Sequence, residues 1–275
     1  MGAILVTGAS GNTGAELVKL LEKSGSEFFV AARNTGAPRA RRFDFMDPST
    51  YTGAFAGIDK VFLMRPPAIS NVKKYIFPAI DAAVDAGVRH FVFLSLQGAE
   101  KNTFVPHNKI EAYLKLKKIS WTFIRPSFFM QNLTTAHLAE IRDKSEIYVP
   151  AGNGRTNFVD VRDVALASYI ALAEPGHEGK AYEITGSEAL TYYEIAGLLT
   201  SALGRKITYK KPGPLSFFIR KISEKQPLTY ALVTTALYSV SALGLAGGTS
   251  GDFERLSGKK PVTMAEFIND FRGVW

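Results

Sequence analysis

The chain has no cysteine in its 275 residues. That absence excludes disulfides, thiolate catalysis and cysteine-ligated metal centres. It has only four histidines, at 90, 107, 137 and 177. None stands four residues from another, so no helical metal-binding pair is present and no metal is expected. Repeats and low-complexity segments are missing, and the amino terminus lacks the basic-then-apolar layout of a secretory leader, so a cytoplasmic protein is expected. Acidic charge is in short supply: 33 Lys and Arg face 25 Asp and Glu, for a net charge of +8. The basic residues are scattered in short clusters such as Arg39-Arg41-Arg42, with no recognisable nucleic-acid motif among them, so a solvated basic surface is read and no nucleic-acid partner is expected.

One uncharged stretch is long. Residues 226–251 carry no Asp, Glu, Lys or Arg, and a bilayer needs about 20 apolar residues to be crossed. Its threonines, serines and glycines keep its hydrophobicity modest, so it reads as a buried helix lining a cleft, with no membrane span. The basic amphipathic stretch at 215–225 leaves a membrane-facing role open.

Apolar residues make up 46% of the chain and charged ones 21%, the balance of an ordinary globular protein. Short apolar runs at 3–7, 28–32, 42–45, 61–64, 90–95, 121–125 and 181–185 alternate with helical patterns. That alternation predicts an α/β fold with a Rossmann-type, doubly wound parallel sheet. Helices are expected at 75–86, 109–117, 133–142 and 161–173. Past residue 185 the pattern changes. Thr191 and Glu194 form a capping box, Gly204 closes that helix, and the rest reads as helices with short links. The domains are therefore drawn as a nucleotide-binding part at 1–185 and a smaller, mainly helical carboxyl-terminal lobe at 186–275, with inserts such as 128–158 adding to the pocket.

The first apolar run leads into "VTGASGNTGAE", residues 6–16. Gly8, Gly11 and Gly14 follow a strand and open an amphipathic helix, where glycines permit a tight turn, close approach of a pyrophosphate, and close helix packing. The free N–H groups of the helix start then bind the anion, with Ser10, Asn12 and Thr13 adding short polar side chains. The second run ends in Arg33-Asn34, where an NAD site places a carboxylate roughly 20 residues past the loop. A guanidinium there pairs with a 2′-phosphate, which favours NADP(H) over NAD(H).

The chain resembles the atypical short-chain dehydrogenases/reductases of the NmrA-like group along essentially its whole length. The likeness rests on "VTGASGNTG" at 6–14, "AARN" at 31–34, "RRFDFMDP" at 41–48, "AGIDKVFLM" at 56–64, "AGVRHFVFLS" at 86–95, "WTFIRPSFFMQNL" at 121–133, "NFVDVRDVA" at 157–165 and "LSGKKPVTMAEFINDF" at 256–271, in that order. The resemblance implies NADPH-dependent reduction of quinones, dyes, imines or related small molecules. The family also includes regulators that bind the cofactor without turnover, so the alternative reading is a cofactor sensor that acts through a protein partner. It assigns adenine contacts to Asp44 and Phe45, cofactor contacts to Met64, Arg65 and Pro66, and the nicotinamide side to Ser95, Pro126 and Phe128. Phe129 and Met130 inherit a substrate-pocket role. Phe104 and Trp121 are added as further apolar candidates. Asp160 and Asp163 read as capping residues rather than a catalytic pair.

The usual Tyr-x-x-x-Lys pair of the short-chain dehydrogenases is broken. Lys109 fills the lysine position, but Val105 stands where the tyrosine belongs and has no proton to give. Tyr113, one turn past Lys109, reads as a core or surface tyrosine rather than a substitute acid. Alcohol–ketone chemistry is therefore set aside, and an epimerase or dehydratase with held NAD fits neither Arg33 nor the missing tyrosine. Hydride transfer to an electrophilic conjugated or cationic carbon survives, with Lys109, His107 or water as proton source.

Overall fold

The computed structural model describes residues 2–275. In chain order the strands are β1 (Ala3–Val6), β2 (Phe28–Ala32), β3 (Ala40–Arg42), β4 (Ile58–Met64), β5 (His90–Leu94), β6 (Ser120–Pro126), β7 (Phe128–Phe129), β8 (Glu146–Ile147), β9 (Thr156–Val159), β10 (Lys180–Ile184), β11 (Ala189–Leu190) and β12 (Thr208–Tyr209). The helices are α1 (Asn12–Lys23), α2 (Tyr51–Phe55), α3 (Val72–Tyr75), α4 (Phe77–Asp85), α5 (Pro106–Leu116), α6 (Leu138–Lys144), α7 (Val161–Ala173), α8 (Tyr192–Leu203), α9 (Pro214–Ser223), α10 (Leu228–Ala242), α11 (Asp252–Ser257) and α12 (Met264–Asp270).

These elements form two compact units. The first comprises 1–126, 161–184 and 252–259; the second comprises 127–160, 185–251 and 260–275. The chain thus passes between units more than once. The change of pattern read near 186 corresponds to the passage at 184/185, and 127–160 belongs wholly to the second unit.

The first unit is built on a seven-stranded sheet of order β10-β6-β5-β4-β1-β2-β3, all parallel. This is the doubly wound α/β arrangement. Strands covered on both faces need continuous apolar runs, and β1 is buried along its whole length. Chain order reverses between β1 and β4, which creates the crevice at the carboxyl ends of the strands where such sheets bind ligands. One face carries α1 packed on α7; α2, α4 and α5 cover a core that includes Phe62's neighbours Val61 and Leu63, with Phe91, Phe93 and Phe123.

Three expected elements shift. The third strand lies at Ala40–Arg42 rather than 42–45. Beyond it Phe43 and Phe45 fold into the core edge-to-face, 4.7 Å apart, while Asp44 bridges to Asp47. Alternating phenylalanines here serve a turn packed on Tyr51 and Phe55. The helix expected at 75–86 splits at Ile76 into α3 and α4, because Pro78 has no N–H to continue the ladder. The helix expected at 133–142 is a short 3₁₀ turn followed by α6. The hydroxyls of Thr134 and Thr135 both donate to the Gln131 carbonyl, at 3.1 and 2.8 Å, and compete with the helix.

The second unit pairs β11 antiparallel and β7 parallel with β9, and β12 with β8. Its helices enclose a core containing Leu133, Phe158, Tyr192, Leu199, Phe217 and Phe267. The Thr191–Glu194 capping box opens α8 as read, and Gly204 closes it in the left-handed conformation. The uncharged segment forms α10, which is not the buried helix expected. Leu232, Val233 and Leu237 are exposed on its outer side. No helix among the described residues is long and apolar enough to cross a membrane.

Candidate functional site

The β1–α1 loop is shaped by its glycines. Gly8 has φ of +67° and its carbonyl accepts from the Gly11 N–H at 2.9 Å. A side chain on Gly14 would place Cβ 2.2 Å from that same carbonyl oxygen, so α1 can approach the loop this closely only with glycine. Gly11 caps α1 without a side-chain bond, and the first turn carries no acidic residue. N–H groups of Asn12 and its neighbours, with the helix dipole behind them, are thus left for an anion. Ser10 and Asn12 are exposed beside them, and Thr13 is buried. Thr7, which the sequence reading passed over, fastens this loop to β4: its hydroxyl donates to the Phe62 carbonyl at 3.0 Å and accepts from the Met64 N–H at 2.7 Å.

At the end of β2 the arginines divide. Arg41 lies 3.7 Å over the Phe29 ring and donates to the Ala54 and Ala56 carbonyls. Arg39 lies over Phe28, and Arg42 meets Asp47 at 3.5 Å. Arg33 is exposed and forms no hydrogen bond or ion pair among the described residues. Asp44 accepts from the Met46 N–H at 2.9 Å, the turn-capping role. Phe45 buries its ring in the core, so only its backbone is available to a ligand. After β4, the Arg65 guanidinium donates to the Pro66, Pro67 and Ile69 carbonyls and pins its own loop.

The β5–α5 region is wired differently from a Ser-Tyr-Lys site. Ser95 donates to Glu111 at 2.6 Å, and Arg125 clamps the same carboxylate through two bonds of 3.0 and 2.6 Å while reaching Glu100 at 3.0 Å. Burial alone would lower the Arg125 guanidinium, but its bonds to Glu111 raise it above the ordinary range. Pro106 starts α5, so Val105 is an extended residue outside the helix. The departure from the tyrosine pattern is thus one of backbone as well as side chain. His107 packs against Phe93; burial, with the Arg65 charge nearby, pushes it down to about 3. It is therefore neutral near pH 7 and is no imidazolium acid. Lys109 is exposed with no ion pair among the described residues. The Tyr113 hydroxyl donates to both Asp81 oxygens, at 2.9 and 2.8 Å, and its ring stacks on Phe77.

Other candidates are scattered. Pro126 ends β6 and accepts from the Gln97 N–H. Phe104 is 89% exposed on a turn. Trp121 lies at the opposite end of β6 from Pro126, lining an open groove with Arg89, Lys117 and Lys118. In the second unit Phe128 and Phe129 are half-buried, whereas Met130 sits in the core. Asp160 accepts from Gln131 at 2.9 Å, and Asp163 lies in the first turn of α7.

The model of the NmrA-like family matches residues 1–268. The chain belongs to that family. It is similar to an NAD(P)H azoreductase of Xenophilus azovorans, with 31% identity covering 96% of each chain. Among solved structures it is similar to the NADPH-dependent quinone oxidoreductase of Escherichia coli complexed with NADPH, at 25% identity and TM-score 0.89, covering 98% of this chain and 99% of that one. It is similar as well to the triphenylmethane reductase of Citrobacter sp. complexed with NADP(H), at 26% identity and TM-score 0.85, with the same coverage.

Within this NmrA-like chain, sequence reading missed the buried polar groups. Glu111 and Arg125 carry no local signal: one lies in an ordinary amphipathic helix and the other ends an apolar strand. The second unit hides a comparable cluster. His137 lies 2.6 Å from the Tyr238 hydroxyl and 3.4 Å from Glu140; in the first unit, His90 bonds Thr122 and His177 bonds Tyr182.

Proposed function

We propose that the chain is an NADPH-dependent reductase that delivers hydride to a conjugated or cationic small molecule, such as a quinone, iminium, dye or activated alkene. The observation that carries this reading is the pairing of an acid-free helix start behind Gly8, Gly11 and Gly14 with an unpartnered Arg33 at the end of β2. A Cβ at Gly14 would meet the Gly8 carbonyl oxygen at 2.2 Å, so glycine alone lets α1 close on the loop as a dinucleotide cradle requires. Gly8 to Gly14, with Ser10, Asn12 and Thr13, would hold the pyrophosphate. Arg33 would pair with the 2′-phosphate, and the cofactor is therefore assigned as NADP(H) ahead of NAD(H). Asp44 and the Phe45 backbone would hold the adenine, and Met64, Arg65, Pro66, Ser95, Pro126 and Phe128 would line the nicotinamide side.

When bound, this cofactor supplies a hydride from its nicotinamide ring. A cationic acceptor needs nothing further; a quinone takes one proton as well, which Lys109 or water provides. Lys109 also orients the ribose hydroxyls as a free cation. The acceptors in the names of the relatives — azo compounds, quinones and triphenylmethanes — are conjugated carbon or nitrogen electrophiles, which support the absence of a tyrosine acid. Phe129 offers the aromatic surface on the acceptor's side.

The test is steady-state NADPH oxidation against a panel of quinones, azo dyes and triarylmethane dyes. Turnover with at least one is expected. Tight NADPH binding with no oxidation of any panel member would favour the regulator acting through a protein partner.

A further inference from the structure

We propose that the outer faces of α9 and α10 form a self-association interface, and that its occupant is a second copy of this chain. Helix α9 is turned opposite to the surface-helix rule. It buries Phe217 and Lys221 and directs its charges inward. Lys221 meets Glu140 at 3.0 Å and Glu224 at 2.9 Å, and Arg220 meets Glu146 at 2.8 Å and Glu224 at 3.0 Å. The apolar stripe at i, i+4 and i+7, formed by Leu215, Ile219 and Ile222, is left outside, with Leu215 70% exposed.

Helix α10 packs against α9 and continues the apolar face. Val233, Leu237 and Val240 repeat the same spacing, with Leu232 beside them, all exposed. Its orientation is fixed from within rather than free to roll. Tyr238 bonds His137, Ser241 bonds Thr156, and Gly154 lies so close to the Ser241 carbonyl that a Cβ there would come within 1.7 Å. The outward residues therefore stay outward in the single chain.

Two features select a second copy as the occupant. With 40–70% of each side chain exposed, these seven offer on the order of 600 Å², at the upper end of the patches monomers leave bare and most of the ~800 Å² each partner contributes to a standard interface. The charge pattern also fits a dry protein interface. Residues 226–251 have no charge, the α9 cations are spent on internal carboxylates, and Lys225 stands at the exposed turn between the helices, a rim position. An uncharged apolar face is complementary to itself, as a two-fold interface requires. A helix adsorbed on an anionic bilayer would instead direct its lysines and arginines to the headgroups.

Sedimentation equilibrium of the intact protein tests this, beside Ile219→Lys and Val233→Lys made singly. The wild type should sediment with the mass of two chains at micromolar concentration. Each variant, with an unchanged circular dichroism spectrum, should associate about a hundredfold more weakly, since a lysine is buried there without a partner. Because the chain lacks cysteine, single variants Val233→Cys, Leu237→Cys and Val240→Cys give an independent reading. At least one should form a disulfide-linked dimer on mild oxidation, whereas Lys118→Cys, outside these two helices, should not. A monomer throughout the micromolar range, or a dimer indifferent to both lysine substitutions, would overturn the proposal. So would monomeric protein floating with phosphatidylserine-containing or phosphatidylcholine vesicles, which would make the face a lipid surface.

Discussion

The β1–α1 and β5–α5 junctions stand at the carboxyl ends of strands in one sheet, at the edge where an α/β fold takes its ligands. At the first, backbone geometry carries the design. Gly8 adopts a left-handed turn, Gly14 lets α1 press onto the loop, and Thr7 ties the loop to Met64. At the second, side chains have been reassigned. Ser95 serves Glu111, Tyr113 serves Asp81, His107 is half-buried and neutral, and Val105 lies outside the helix. Anion binding asks only for correctly aimed N–H groups, and the chain retains them. Proton donation asks for one particular hydroxyl with a lowered pKa, and no such tyrosine stands there. On the proposed reading, the barrier depends on holding the acceptor near a hydride donor more than on acid catalysis.

The contrast is broken most severely at Gly14. In Gly14→Val the added side chain collides with the Gly8 carbonyl, so NADPH affinity should fall by more than about a hundredfold, with stability lowered by about 2–4 kcal/mol. Fluorescence titration and urea unfolding read the two effects. Arg33→Ala sharpens the cofactor side: NADPH should bind about thirtyfold more weakly, as loss of a charge-assisted pairing predicts, and NADH should change less than about twofold. Equal weakening of both would remove Arg33 from the 2′-phosphate.

On the β5–α5 side the effects are smaller and structural. Burial holds the His107 imidazole down at about 3, against an ordinary value of 6.5. The unfolded chain therefore binds a proton that the folded chain refuses, and stability falls as pH drops from 6.5 toward 3. Between pH 7 and pH 5 the loss from this residue should be about 2 kcal/mol. His107→Leu should flatten that part of the urea-midpoint profile, and an unchanged slope would contradict the assignment. Tyr113→Phe should alter kcat by less than about twofold, because its hydroxyl is committed to Asp81; near-complete loss of turnover would make Tyr113 the missing acid.

Much of the nucleotide-binding half was legible in the sequence, for physical reasons that particular residues show. A covered parallel strand must be continuously apolar, so Ala3–Val6 and His90–Leu94 announce themselves. Gly8 and Gly14 announce the loop because few other residues fit their geometry. Register was less legible at Phe43 and Phe45, where the same alternation suits a turn packed on Tyr51 as well as a strand. Buried ion pairs were not legible. Glu111 and Arg125 lie 14 residues apart, and no local pattern couples them. The α9–α10 face shows a different limit. Periodicity reveals that Leu215, Ile219 and Ile222 form a stripe, but whether a stripe meets its own core depends on Glu140 and Glu146, which draw the opposite face inward.

Isotope transfer tests the central claim most directly. With NADPH carrying deuterium at the transferable nicotinamide position, the reduced dye or quinone formed by Tyr113→Phe should appear at near wild-type rate. A triarylmethane product should hold the label on its central carbon. Protein that binds NADPH yet yields no reduced product, or a triarylmethane product with hydrogen from solvent at that carbon, would contradict direct hydride delivery from the Gly8–Gly14 cradle.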